Sequence, residues 1–227
     1  MDIPDSPEDN RSAKAPTEFR WWRVLLGVFL FWMLWLGFVP CQLTPKVSMR
    51  NQKDAVNNAR EVHKELWSFM EMHGRFPSPE TIEEVRKSTD NSIPLGTVSS
   101  NDYLRQLVVN GADERIFYSG SKRFRRPDGR VNGQYALEKG ECGFAYVVGI
   151  QASDDLSMPV LIGPVIPGEK RFDSDAFNRK VALLRLDGSV VMTVINIHGH
   201  IALGGGKSID PANPQWNGKP LTIAWPE

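Results

Sequence analysis

The sequence predicts an α+β protein, helices first and an antiparallel sheet after them. Three observations carry the prediction: an unbroken apolar run over residues 21–40, a helical stripe of apolar positions behind it, and short β-rich runs beyond Arg115. In full, the expected fold is an N-terminal transmembrane helix, then a long amphipathic helix and short helices packed on a C-terminal antiparallel β-sheet.

The apolar run reads WWRVLLGVFLFWMLWLGFVP, with Arg23 its only charge. Twenty helical residues rise about 30 Å, the thickness of a bilayer's hydrocarbon core. Trp21, Trp22 and Arg23 at one end, with Leu34 and Trp35 inside, are the expected anchoring residues. The run is longer than a signal-peptide core and no small-residue cleavage site follows it. Phe38, Val39 and Pro40 do not form the small-residue box that precedes a lipidated cysteine. The expected organisation is a disordered arm over residues 1–20, a transmembrane helix over 21–40 and an α+β domain over 46–227, with membrane lipid as a partner.

The chain has 227 residues, enough for one domain beside an anchor. Its 27 basic and 27 acidic residues cancel, so no global field draws nucleic acid, and partners must be recognised locally. Two cysteines exclude a disulfide-dense scaffold and a four-thiolate zinc site, leaving Cys41 and Cys142 as one candidate disulfide.

Between Val47 and His73, apolar residues recur at Val47, Ala55, Val56, Ala59, Val62, Leu66, Phe69, Met70 and His73, mainly the three-and-four spacing of one helical face. Gly74 and Pro77 supply the stop. Ser78-Pro79-Glu80 reads as the opening of a short helix through about Arg86. Ser99 or Ser100 caps another over residues 101–109, ended by Asn110-Gly111. Strands are expected over residues 116–118, 144–150, 160–166, 181–186 and 190–195. The clearest signal is Asp187-Gly188 between two β-branched runs, a two-residue hairpin turn. The tail from Gly204 reads as loop.

Motifs that carry chemistry are few. Gly204-Gly205-Gly206-Lys207-Ser208 lacks the leading glycine and the following helix of a phosphate loop, so it reads as a turn. His198 and His200 share one strand face but have no further ligand nearby in sequence, which argues against zinc. Arg123, Arg125 and Arg126 form a basic loop that is a candidate contact patch for an acidic partner. No GxSxG elbow or HExxH pair occurs, and Cys142 has no histidine partner in sequence, so no enzyme is expected.

In its order of parts the chain resembles the type IV pilin and type II secretion pseudopilin group: apolar anchor, amphipathic helix closing on Gly74-Arg75-Phe76-Pro77, and a C-terminal antiparallel sheet. More closely it resembles bacterial pilin-like proteins whose molecular role is unassigned, through SNDYLRQLVVNGADERIFYSG (residues 100–120), GFAYVVGI, VALLRLDGSV and DPANPQWNGKPLTIAWPE. The resemblance covers most of residues 46–227. It implies a pilin-like fold, a single-pass protein of the bacterial inner (cytoplasmic) membrane with its N-terminus in the cytoplasm and its domain in the periplasm, and a structural or interaction role in a secretion or envelope assembly. Partners would be other copies of the chain or envelope and secretion proteins. Because major pseudopilins bind calcium through loop carboxylates, Asp187 and Asp210 are the calcium candidates, and no other cofactor is implied. The chain departs from pilins in lacking a peptidase-site glycine before Trp21 and a glutamate inside the span, so filament assembly is not implied. The alternative reading is a membrane-tethered ligand-binding or sensory module, with the basic loop or the His198 region as its contact.

Overall fold

A computed structural model of the chain describes residues 19–88, 92–204 and 208–227, with the side chains of residues 19–21, 23 and 33–48 outside the description. It divides into two compact units, Met1–Pro45 and Lys46–Glu227.

Helix α1 runs over Phe19–His73 without a break at Pro40 or Pro45. In the second unit its face Ala55, Ala59, Val62, Leu66 and Phe69 is fully buried, the stripe that the spacing predicts. Gly74 ends it in the left-handed conformation (φ 72°), its amide donating to the Met70 carbonyl at 2.8 Å. A 3-10 turn at Pro79–Thr81 leads into α2 (Ile82–Ser88). The Thr81 hydroxyl, rather than the Ser78 side chain, organises that entry, accepting from the Ser78 amide at 3.0 Å. Helix α3 (Ser100–Val109) is capped reciprocally: the Asp102 amide donates to Ser99 Oγ at 3.2 Å and the Ser99 amide to Asp102 Oδ2 at 3.1 Å.

Among the described residues, nine strands follow: β1 (Ala145–Val148), β2 (Pro159–Gly163), β3 (Lys180–Arg185), β4 (Val190–Ile195), β5 (Ile201–Ala202), β6 (Ser208–Ile209), β7 (Gln215–Trp216), β8 (Lys219–Pro220) and β9 (Thr222–Ala224). Seven form one antiparallel sheet in the order β6-β5-β4-β3-β2-β1-β9, and β7 and β8 pair separately as a hairpin. Strands β1 to β6 are thus a meander, and β9 returns to lie outside β1, Val147 opposite Ile223. Leu104, Leu107, Phe117, Phe144, Tyr146, Leu161 and Leu183 fill the core between helices and sheet.

Two expectations are corrected. The sheet is a curled seven-stranded half-barrel, not the pilin-like arrangement of an N-terminal helix laid on a sheet. Among the described residues, no helix is long and apolar enough to cross a membrane. The single-pass membrane assignment therefore does not stand, nor does the inner-membrane, periplasm-facing localisation built on it. The expected arm falls almost entirely on residues outside the description.

The expected strand at 116–118 is instead a 3-10 turn, Glu114–Phe117, capped by Asp113. The tail from Gly204, expected to be loop, contributes β6 to β9.

Candidate functional site

Four separate chain segments meet in an open cleft of about 1090 Å³. Thr222 and Ile223 of β9, at one end of the strand order, line it together with Ile195 of β4 and Asp210 beside β6, near the other. Curling of the sheet brings these edge regions to one cavity, which marks the open seam of the half-barrel.

The first wall is the connection from β2 to β3. Val165 bridges Phe172, so residues 166–171 form a small hairpin that holds Lys170 and Arg171 at its exposed tip and turns Phe172 into the interior. Buried Asp173 anchors the next stretch, accepting from Ser121 Oγ at 3.1 Å, from Arg123 Nε at 3.0 Å and from the Asp175 amide at 3.0 Å. Asn178 and Arg179 then lie consecutively in the left-handed region, at φ 53° and 60°. Two non-glycine residues there are strained, and contacts hold them: the Arg179 amide donates to the Ser174 carbonyl at 2.7 Å, and Ile195 donates to the Arg179 carbonyl at 2.8 Å.

The second wall is the β4–β5 turn. Asn196 Oδ1 accepts from the amides of His198 at 2.9 Å and His200 at 3.0 Å, which sets both imidazoles on the rim with ring centres 6.0 Å apart. His200 Nε2 lies 3.6 Å from Asp210 Oδ1. The floor is apolar: Ile195, Leu221, Ile223 and half-buried Trp225, whose ring lies against Phe172 with centroids 5.3 Å apart.

Charge in the cleft is cationic in balance. Asp175 is already engaged by Arg123 at 3.1 Å and Asp210 faces His200, whereas Lys170 and Arg179 have no acidic partner within 4 Å among the described residues. The arrangement offers unspent positive groups above a flat apolar floor, with amide, hydroxyl and carboxylate groups between them.

The residues singled out in the sequence are placed as follows. Arg123, Arg125 and Arg126 do not form a common surface. Arg123 bonds Asp173 and Asp175, Arg125 bonds Glu138 and Glu141, and Arg126 lies over the Tyr118 ring at 5.1 Å, with Asp54 at 3.8 Å. Their charges tie the loop to three parts of the fold. Asp187 occupies the β3–β4 turn and receives the Ser189 amide at 2.8 Å, while Asp210 belongs to the cleft. Among the described residues, no group of three or more His, Cys, Asp or Glu side chains is placed to hold a metal. Cys142 is a free, fully buried thiol that burial pushes up to about 11. Trp22 is exposed, and the side chains of Trp21, Arg23, Leu34, Trp35 and Cys41 lie outside the description. Gly205, Gly206 and Lys207 lie outside it too, but Ser208 begins a strand, so no phosphate-loop helix follows.

Sequence reasoning found His198, His200 and Asp210 but missed Lys170, Phe172, Arg179 and Trp225, which are separated along the chain and join only through the curl of the sheet. No protein-family model matches the chain, and no curated protein and no solved structure matches it, so nothing in these comparisons identifies a pilin-like family and the cleft is read from its own chemistry.

Proposed function

We propose that the chain is a non-catalytic ligand-binding module whose site is the cleft at the half-barrel seam, and that its ligand is an anion carrying an apolar or flat face. The convergence of Lys170, Arg171, Arg179, His198 and His200 over the Phe172–Trp225 pair carries this reading. Ligand sites are concave, largely apolar and furnished with a few placed polar groups, and this cleft has that make-up. Lys170 and Arg179, without acidic partners among the described residues, favour an anion through charge-assisted hydrogen bonds. Backbone strain at Asn178 and Arg179, held by contacts to β4, is the kind that folds keep where a binding group must be aimed.

Binding rather than catalysis is favoured because, among the described residues, neither rim imidazole has a hydroxyl or thiol within hydrogen-bond distance. The one described thiol is buried and protonated at neutral pH.

The test is a thermal-shift screen of the full chain against small carboxylates, sulfates and phosphates bearing a ring. A ligand selective for the native state raises Tm in proportion to RT ln(1 + [L]/Kd). The expected result is a saturable rise that shrinks in the double variant Lys170→Gln/Arg179→Gln. A panel with no saturable rise, or rises equal in the variant, overturns the proposal.

A further inference from the structure

The ligand class can be narrowed, on the reading just given, by asking which anions match the whole lining. We infer that the cleft binds an acidic saccharide, a chain of sugar units bearing carboxylate or sulfate groups.

Three features point there together. The positive groups are dispersed, Lys170 and Arg171 on one hairpin, with Arg171 3.6 Å from Glu169, and Arg179 beside β4, while the His198 and His200 imidazoles stand on the opposite turn as hydrogen-bonding groups. Such spacing suits charges carried on successive units better than one compact phosphate. Trp225 lines the floor beside Phe172, and the electron-rich face of an indole suits the slightly positive C–H face of a pyranose ring. Between these lie short polar side chains that can share hydrogen bonds with hydroxyl groups, which both donate and accept: Ser174, Asp175, Asn196, Asp210 and Thr222. Asp175 is paired with Arg123 and Asp210 faces the His200 ring at 3.6 Å, yet both keep acceptor capacity, which a hydroxyl donor can use and a pure polyanion cannot.

Competing polyanions fit less well. Nucleic acid carries about one negative charge per 1.7 Å of duplex and calls for a basic stripe, whereas this chain has no net charge and the cleft holds two carboxylates. An acidic peptide would be held chiefly by adding a strand, but β9 is three residues long and the Leu221 amide beside it is already given to the Pro214 carbonyl at 2.8 Å. The cleft is open to solvent, as a binder of internal segments of a chain requires.

The experiment is calorimetric titration of the full chain with four probes: oligogalacturonate, a chondroitin sulfate oligosaccharide, neutral maltohexaose and polyglutamate. We expect saturable binding of at least one acidic saccharide, at least about tenfold tighter than maltohexaose and polyglutamate, and weakened several-fold by 0.5 M salt. The variant Lys170→Gln/Arg179→Gln should weaken it by about tenfold or more, and Trp225→Leu by a similar factor. The lysine and arginine are exposed, so their replacement keeps the test valid if Trp225→Leu fails to fold. Polyglutamate binding as tightly as either acidic saccharide would overturn the inference while leaving an anion-binding cleft. Silence from all four probes would also overturn it, and the broader reading would then stand or fall on its own small-anion screen.

Discussion

A carboxylate removed from water needs donors, and Glu114 finds two backbone amides. Its Oε1 accepts from Gly129 at 2.6 Å and its Oε2 from Leu137 at 2.9 Å, with the side chain fully buried. One residue thus fixes two points of the long loop before β1. Replacing it with alanine leaves two amides without an acceptor and opens a cavity, a loss of about 3 kcal/mol that the urea midpoint would register. Cys142 offers a second measurement at this scale. With its thiol raised to about 11 by burial, native protein carrying Cys41→Ser should resist alkylation at pH 8 and label only in denaturant. The exposed carboxylates act in the opposite direction. Asp155 is held below the usual carboxylate range by the amide and hydroxyl of Ser157, at 2.9 and 2.8 Å, and Asp113 by the Arg115 side chain. A depressed folded-state pKa stabilises above the ordinary value near 4, and that contribution is lost as pH falls through the folded value. Stability should therefore drop between pH 5 and pH 2, with a shallower drop in Asp155→Asn.

Among the elements, the β3–β4 hairpin was legible because its information is local, two apolar runs with Asp187-Gly188 between them, although the turn closes around three residues, 186–188, with the Arg185 amide donating to the Ser189 carbonyl at 2.9 Å and Gly188 alone at positive φ, rather than around two. Gly188 has φ 80°, and a Cβ there would stand 2.7 Å from His63 Cε1. Gly188→Ala should thus cost about 2 kcal/mol, from the conformation and from displacing His63, whose ring accepts the Trp67 indole N–H at 2.7 Å. A thermal melt would show it. The buried stripe of α1 and both ends of α3 were legible for the same reason, since spacing and caps lie within a few residues of one another. The segment 116–118 was misread because its β-branched and aromatic residues suit a strand, while the Asp113 cap and the buried Glu114 bend the chain into a 3-10 turn. Strands of two or three residues such as β5, β6 and β9 carry too little pattern to announce themselves, since distant partners select them.

Across the whole molecule, what could not be read was the curl of the sheet, and with it the cleft. His198, His200 and Asp210 are suggestive singly. Only the return of β9 beside β1 sets Trp225 opposite them, and only the meander brings residues 170–179 to the same cavity. The ion pairs of the arginine loop were hidden for a matching reason: the acidic partners Asp54, Glu138, Glu141, Asp173 and Asp175 are distributed along the chain, and pairing was invisible until the fold placed them. The expectation of a pilin-like fold drew on the order of elements, and order alone does not determine how a sheet closes. A chain ending at Leu221 tests the dependence on β9. It should lose its cooperative melt and its near-ultraviolet signal, because β1 loses its neighbour and the Gly140 amide loses the Glu227 carbonyl.

That placement of β9 has a consequence for biogenesis. A strand near residue 223 must pair with one near residue 147, so a nascent chain on the ribosome holds its sheet with one side unzipped until nearly all of residues 1–224 have been synthesised and released from the exit tunnel. Folding of this unit accordingly completes only after its last strand has emerged, and the waiting edge of β1 is where a chaperone would find its grip.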